Sequence, residues 1–342
     1  MNFLRRNYER LKWALTPKSR KQALLDDAIS VLKIIPQTHD LLDLAKAEGI
    51  SIGFSAKLIG SGAHGHVLRE KNTGETRIEL SPRATAEEIA ETLIHELRHV
   101  WQNNVLGTGA TTTGREESSA EMTILMTRVK EADAFAFSLA MVREINYACQ
   151  LLSNAVDVAK RMMAKNEGMA LNEFDIANIG HILMASAAHE PPPDTKKIMA
   201  EMFTTILPAM DDYDRLSLDR YRLLYTHAWL DPVPHVPAAE AIDIPKLRKI
   251  LKAGISPNAP VYLDNLDDVA FSTLVMTGLS PKIRDTISLM DAFESAAAKG
   301  TLSANDNKSL LTQIDKNVRD VQAAPPINVK SAMKKQAANS PS

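Results

Sequence analysis

From Thr85 to Asn104 the chain reads TAEEIAETLIHELRHVWQNN, and this stretch predicts one amphipathic helix. Thr85 and Glu88 have the spacing of a capping box, in which the two side chains bond each other's backbone N–H groups at a helix start. Apolar residues follow at helical spacing, at Ile89, Leu93, Val100 and Trp101. Both the start of the helix and its apolar face are therefore predicted from local sequence.

Within this helix His95, Glu96 and His99 form a His-Glu-x-x-His box. Residues four apart on a helix lie one above the other, so both imidazoles face the same point, where they can bind a zinc ion. Glu96 can then take a proton from a water molecule that the zinc activates. The box predicts one Zn²⁺ per chain and hydrolysis of an amide bond. A purely structural zinc is less favoured, because such sites use four Cys or His ligands and Cys149 is the single cysteine.

Two histidines leave a catalytic zinc site incomplete, so a third ligand is expected from another element. The best candidate is Glu131, in a long helical run from about Glu116 to Lys165, where the small Ala134 allows close helix packing. Asp133 is an alternative ligand, or a neighbour that orients an imidazole. Weaker candidates on the same run are Glu116, Glu117 and Glu121.

A second histidine pair, His64 and His66, lies in the sequence Gly62-Ala63-His64-Gly65-His66. In an extended segment the two rings would share one face, which suits a metal pair. The flanking glycines indicate a turn or loop instead. We therefore expect these histidines to be exposed to solvent or to line a cleft.

The sequences HELRHVWQ at 95–102 and EADA at 131–134 resemble zincin metallopeptidases of the glutamate-ligand (gluzincin) type, including small single-domain members from bacteria. The resemblance implies that His95, His99 and Glu131 bind zinc and that Glu96 is the general base. It also implies a small sheet before the active helix, with an edge strand that pairs with extended protein or peptide substrate.

The region before the box fits such a sheet. Alternating apolar residues from Ile50 to Leu58 predict one strand, residues 77–80 predict another, and Asn72-Thr73-Gly74 supplies a turn. We predict an α+β fold: a zincin-like core of a small twisted sheet plus two active-site helices, with a mainly α-helical C-terminal region. The expected organisation is an N-terminal helical segment (1–45), the zincin-like metallopeptidase domain (46–165), a helical domain of unknown role (166–322) and a disordered tail (323–342).

The bulk composition limits the function classes. A net charge of −2 over 342 residues, with no zinc-finger or phosphate-binding motif, disfavours nucleic-acid binding. The sequence contains no run of 18 apolar residues, so no integral membrane segment is predicted. The basic N-terminus lacks the apolar core of a signal peptide. With one cysteine, this predicts a cytoplasmic protein. The competing hypothesis is a non-enzymatic metal-binding or regulatory interaction module on a zincin scaffold.

Overall fold

The computed structural model describes residues 13, 16–59, 63–69, 74–82, 85–107, 120–165, 192–210, 214–215, 217–219, 243–256, 258–301 and 304–323. Within these residues the fold is mixed α+β, mostly helical with a three-stranded sheet, and the predicted class is confirmed. Several sequence predictions fall outside the described residues, namely Glu116, Glu117, Asn72, Thr73 and nearly all of the predicted tail.

The elements follow one another in a simple order. In the first half they are α1 (Lys18–Leu32), α2 (Pro36–Ala47), β1 (Ser51–Phe54), β2 (Gly65–Arg69), β3 (Thr76–Leu80), α3 (Ala86–Val105) and α4 (Ala120–Lys165). In the second half they are α5 (Thr195–Ile206), α6 (Ile244–Arg248), α7 (Asp268–Met276), α8 (Pro281–Ala298) and α9 (Ala304–Ala323).

The sheet has the strand order β1-β3-β2, with β1 parallel and β2 antiparallel to the central β3. Ile78 of β3 is fully buried and has Ile52 and Val67 as its partners on the two neighbouring strands. Side chains alternate between the faces of a sheet, so these three residues share its apolar face. The opposite face carries the charged Arg77 and Glu79.

The strand predicted from Ile50 to Leu58 is shorter in the structure. It ends at Phe54, after which the Ser55 N–H donates to the Leu80 carbonyl at 3.0 Å. The Leu58 N–H then donates back to the Ser55 carbonyl at 3.2 Å, which closes a 3₁₀ turn over Ala56–Leu58. The apolar alternation continued past the strand because Leu58 is buried in the turn itself.

Helix α3 forms where the sequence predicts it. The Thr85 N–H donates to Glu88 Oε2 at 2.8 Å and the Glu88 N–H donates to Thr85 Oγ1 at 3.3 Å, so the capping box is present. After the helix, Gly107 adopts a φ of 67°, a left-handed conformation that glycine tolerates without steric cost. The long helix α4 is confirmed from Ala120 to Lys165.

The chain divides into two compact units. The first consists of Met1–Trp101, Phe137–Met199 and Ala253–Pro257, and the second of Gln102–Ala136, Ala200–Lys252 and Asn258–Ser342. Buried apolar residues of the first unit include Leu32, Leu41, Ile78, Leu93, Leu97, Phe137 and Met141. Those of the second include Val129, Phe203, Leu247, Phe271, Ile283, Met290 and Val318. The four-part organisation expected from sequence stays a prediction.

No helix in the described part of the chain is both long and apolar enough to cross a membrane.

Candidate metal centre

The two histidines of the box lie next to each other on α3. The Nε2 atoms of His95 and His99 are 3.1 Å apart, and the planes of the two rings stand at 90°. Two nitrogens that bind one tetrahedral zinc at about 2.0–2.1 Å are separated by about 3.3 Å. The observed spacing therefore fits a shared ion with little movement of either ring.

A carboxylate from α4 completes the group. His95, His99 and Glu131 each offer one ligand atom, and these three atoms lie within 4.8 Å of one another. Two imidazole nitrogens and one carboxylate oxygen are a donor set that zinc accepts, with a position left over for water. The three residues that the sequence resemblance names as ligands thus form a group that could hold a metal ion.

Glu96 follows directly after the first histidine and is buried, with 6% of its surface exposed. Strand β2 lies close to its side chain: a Cβ atom added to Gly65 would be 3.0 Å from Glu96 Oε1 and 3.1 Å from Glu96 Cγ. The carboxylate is therefore held beside the backbone of β2.

Asp133, the alternative ligand, takes part in a different set of contacts. Its Oδ2 accepts a hydrogen bond from Gln102 Nε2 at 2.7 Å, and its Oδ1 accepts one from the Tyr262 hydroxyl at 2.8 Å. Gln102 Nε2 also donates to the Lys130 carbonyl at 2.9 Å. Because both carboxylate oxygens of the fully buried Asp133 bind hydrogen-bond donors, this residue anchors the start of α4 to the end of α3.

Lys130, the residue next to Glu131, is half-buried. Burial lowers the pKa of Lys130 to about 8, while the negative charge of Glu131 opposes the shift. The Lys130 ammonium donates a hydrogen bond to Asn103 Oδ1, near the end of α3. Lys130 and Asp133 therefore each bind a side chain of the last α3 turns, one on either side of Glu131.

The His64 and His66 prediction needs a correction. His64 is exposed as expected, but β2 begins at Gly65, so His66 lies in a strand and not in a loop. His66 Nε2 is 3.0 Å from Glu79 Oε2 on the neighbouring strand. Burial favours a raised pKa for Glu79, but hydrogen bonds from Ser55 and His66 and the charges of Arg77 and His66 lower it overall. Pairing to β3 overrides the flanking glycines, and in the described residues neither histidine belongs to the metal-binding group.

One residue inside the box has a structural role that the sequence did not indicate. Arg98 is fully buried, and its guanidinium lies over the rings of Trp101 (3.9 Å) and Phe137 (4.4 Å). Its Nη1 donates to the Gly254 carbonyl at 3.1 Å, and Trp101 Nε1 donates to the Ile255 carbonyl at 3.0 Å. The only sequence signal was a charged residue on an otherwise apolar helix face.

Gln102 and Tyr262 were also missed as members of the site's surroundings. Gln102 stands three residues after His99, so helical spacing places it one turn further along a similar face. Tyr262 is 129 residues away from Asp133 in the chain, and nothing local links the two.

A family model matches the first part of the chain. Residues 10–148, which include the sheet, α3 and the first part of α4, match the model of the family described as "Putative metallopeptidase family (DUF6782)". No curated protein and no solved structure matches the chain significantly. The sequence resemblance to metallopeptidases is therefore confirmed for residues 10–148, which carry the box and Glu131 and match this family.

Proposed function

We propose that this protein is a zinc-dependent metallopeptidase with a zincin-like core. His95, His99 and Glu131 bind one Zn²⁺ per chain, and Glu96 is the general base for hydrolysis of a peptide bond. The observation that carries the proposal is the grouping of one ligand atom from each of these three residues within 4.8 Å. The match of residues 10–148 to a metallopeptidase family supports the same reaction class.

When bound, zinc acts as a Lewis acid, which lowers the pKa of a coordinated water and polarises the substrate carbonyl. The two imidazoles and the Glu131 carboxylate would hold the ion. Glu96 accepts the proton of the attacking water and passes it to the leaving amine.

The sheet supports a peptide as substrate. Strand β2 pairs with β3 on one side only, and no other described strand pairs with its second edge. An edge strand offers unpaired N–H and C=O groups to an extended peptide, which can add itself as a further strand. Because Gly65 of β2 lies against Glu96, a peptide bound along this edge would pass close to the base.

The proposal is tested by measuring zinc per chain, by elemental mass spectrometry, for the wild type, His95→Ala and Glu131→Ala. We expect about one zinc in the wild type and a sharp loss in both variants, because each removes one of three protein ligands. Glu121→Ala is the matched control: it makes the same change on the same helix, and Glu121 lies beside Asp291 instead. It should keep its zinc.

The zinc-loaded protein is then incubated with a peptide library, and new termini are identified by mass spectrometry. Cleavage that disappears with the zinc supports the peptidase. A wild type that binds no zinc would overturn the proposal and favour the non-enzymatic interaction module. Zinc content unchanged in Glu131→Ala would show that another carboxylate, such as Asp133, is the third ligand.

A further inference from the structure

Strand β2 approaches the active helix more closely than any side chain at its first position would allow. A Cβ atom on Gly65 would lie 2.7 Å from Thr92 Cγ2, 3.0 Å from Glu96 Oε1 and 3.1 Å from Glu96 Cγ. Carbon atoms in proteins make favourable contacts at about 3.5–4.0 Å. The backbone of β2 therefore rests on Thr92 and Glu96 only because residue 65 is glycine.

The two neighbours would respond differently to an added methyl group. Thr92 is β-branched and has few rotamers in a helix, and its hydroxyl donates to the Glu88 carbonyl at 2.8 Å. Turning its methyl away would break that hydrogen bond. The Glu96 side chain is longer and has more rotatable bonds, so its carboxylate is the group that would move.

We propose that Gly65 is a positioning residue for the Glu96 carboxylate. Because residue 65 has no side chain, the β2 backbone packs directly beside the carboxylate and holds it in the position from which it would accept the proton of the attacking water. The inference rests on the proposed function, since it matters for catalysis only if Glu96 is the base. The three atoms nearest to a Cβ added at residue 65 belong to Thr92 and Glu96 and not to the proposed ligands His95, His99 and Glu131. We therefore expect metal binding to persist.

The test compares Gly65→Ala with Gly53→Ala. Gly53 lies in β1 of the same sheet, and a Cβ atom added there would have no atom within 4 Å, so it controls for the change of residue type in a strand. For both variants and the wild type we would measure zinc per chain, kcat and KM on a peptide that the wild type cleaves, and a crystal structure.

We expect Gly53→Ala to match the wild type in every measurement. Gly65→Ala should keep one zinc and a KM close to that of the wild type, while kcat falls about 10- to 100-fold, the range expected when a reacting group is misplaced by up to about 1 Å. Its crystal structure should show a displaced Glu96 carboxylate beside unmoved rings of His95 and His99. A merely structural effect would lower stability and zinc content, and it would not lower kcat while leaving KM unchanged.

A double variant separates the two contacts. Thr92→Ser removes the Cγ2 methyl and keeps the hydroxyl that bonds Glu88, so Gly65→Ala combined with Thr92→Ser relieves the 2.7 Å contact and leaves the one with Glu96. Persistent loss of kcat in the double variant supports the inference. Recovery to wild-type kcat would overturn it, because crowding of Thr92 would then be the cause. The double variant also carries the test if Gly65→Ala alone fails to fold.

Failure of this inference and failure of the proposed function give different results. A wild-type kcat in Gly65→Ala, with Glu96 unmoved in the crystal structure, overturns the inference and leaves the peptidase standing. A zinc-loaded wild type that cleaves no peptide overturns the peptidase, and the crystal structures still decide whether residue 65 sets the position of Glu96.

Discussion

A glutamine in place of Glu96 keeps the size of the side chain and removes its ability to accept a proton. We expect Glu96→Gln to bind zinc as the wild type does and to lower kcat by at least about 100-fold, the usual contribution of a general base. Zinc content and steady-state kinetics on the same peptide measure the two effects. Glu91→Gln, five residues earlier on α3, is the matched control. Undiminished turnover in Glu96→Gln would show that another group is the base.

Asp133 offers a second test at the residue scale. Both of its oxygens accept hydrogen bonds, from Gln102 and from Tyr262, at a position with no exposed surface. In Asp133→Asn an NH₂ group replaces one acceptor and faces a donor, which leaves a buried polar group unsatisfied. We expect the free energy of unfolding to fall by about 1–3 kcal/mol.

Zinc content distinguishes this account from the alternative role of Asp133. If Asp133 anchors the helices, Asp133→Asn loses stability and still binds one zinc per chain. Loss of zinc without loss of stability, measured by urea denaturation of the metal-free protein, would instead identify Asp133 as a ligand. Tyr262→Phe, which removes only the donor at Oδ1, should show a smaller loss of stability than Asp133→Asn.

At the scale of the element, α4 is held by a buried ion pair. Arg128 and Asp214 are 0% and 1% exposed and bind each other directly. The same guanidinium donates to the carbonyls of Leu207, in the 3₁₀ turn that follows α5, and of Thr277, just after α7. One side chain thus binds α4 to the segments that directly follow two other helices, α5 and α7.

Removing this guanidinium leaves a buried carboxylate and two carbonyls without their donor. We expect Arg128→Ala to lower the free energy of unfolding by about 3–5 kcal/mol, the range for breaking one side of a buried pair. Urea denaturation measures the change. Arg143→Ala on the exposed side of the same helix should cost far less. An equal fall in the free energy of unfolding in the two variants would show that the buried pair does not stabilise the protein more than an exposed arginine does.

The elements that the sequence predicted best are those with local causes. The capping box and the apolar spacing of α3 act within one helix, so its start could be read directly, and the two histidines follow from the helical repeat. Strand β2 was missed because Gly62 and Gly65 indicate a loop, whereas pairing with β3 decides its conformation.

The candidate site also combines features that local sequence indicates with features that it does not. Glu131 was inferred from the need for a third ligand on a neighbouring helix; it groups with the two histidines, and its role as a ligand stays a prediction. The partners of Asp133 were beyond reach, because Gln102 and Tyr262 are 31 and 129 residues away from it in the chain. Contacts over such distances depend on tertiary packing, which local patterns do not encode.

At the scale of the whole molecule, an acidic cluster makes stability depend on pH. Burial raises the pKa of Asp291 to about 7; a hydrogen bond from the Glu121 N–H opposes the shift, and the charges of Glu294 and Glu121 add to it. The folded protein therefore keeps a proton on Asp291 between about pH 4 and pH 7 that the unfolded chain releases. Because the folded state binds more protons there, the free energy of unfolding falls as pH rises through this window.

We expect Asp291→Asn to weaken this pH dependence, since the amide cannot titrate. Thermal unfolding midpoints of the metal-free protein at pH 4.5, 6 and 8 (about the lower part of the window, its upper part and above it) measure it. Asp285→Asn, at an exposed position on the same helix α8, should leave the wild-type dependence unchanged. An identical pH profile in Asp291→Asn and wild type would assign the dependence to other groups.

Helix α3 also depends on residues far outside the matched family region. Arg98 and Trp101 lie within residues 10–148, whereas the carbonyls they bind belong to Gly254 and Ile255. A buried guanidinium that loses an acceptor is costly, so the family region by itself would lack part of what stabilises its central helix.

These bonds set an order of events during synthesis. Arg98 leaves the ribosome 156 residues before Gly254, and at about 5–20 residues per second the interval is about 8–30 s. Throughout that time the nascent chain carries the whole His-Glu-x-x-His box without the carbonyls that hold its helix in place. Because two of the proposed zinc ligands and the proposed general base lie on this helix, we expect the metal centre to become rigid only after residues 254 and 255 have been made.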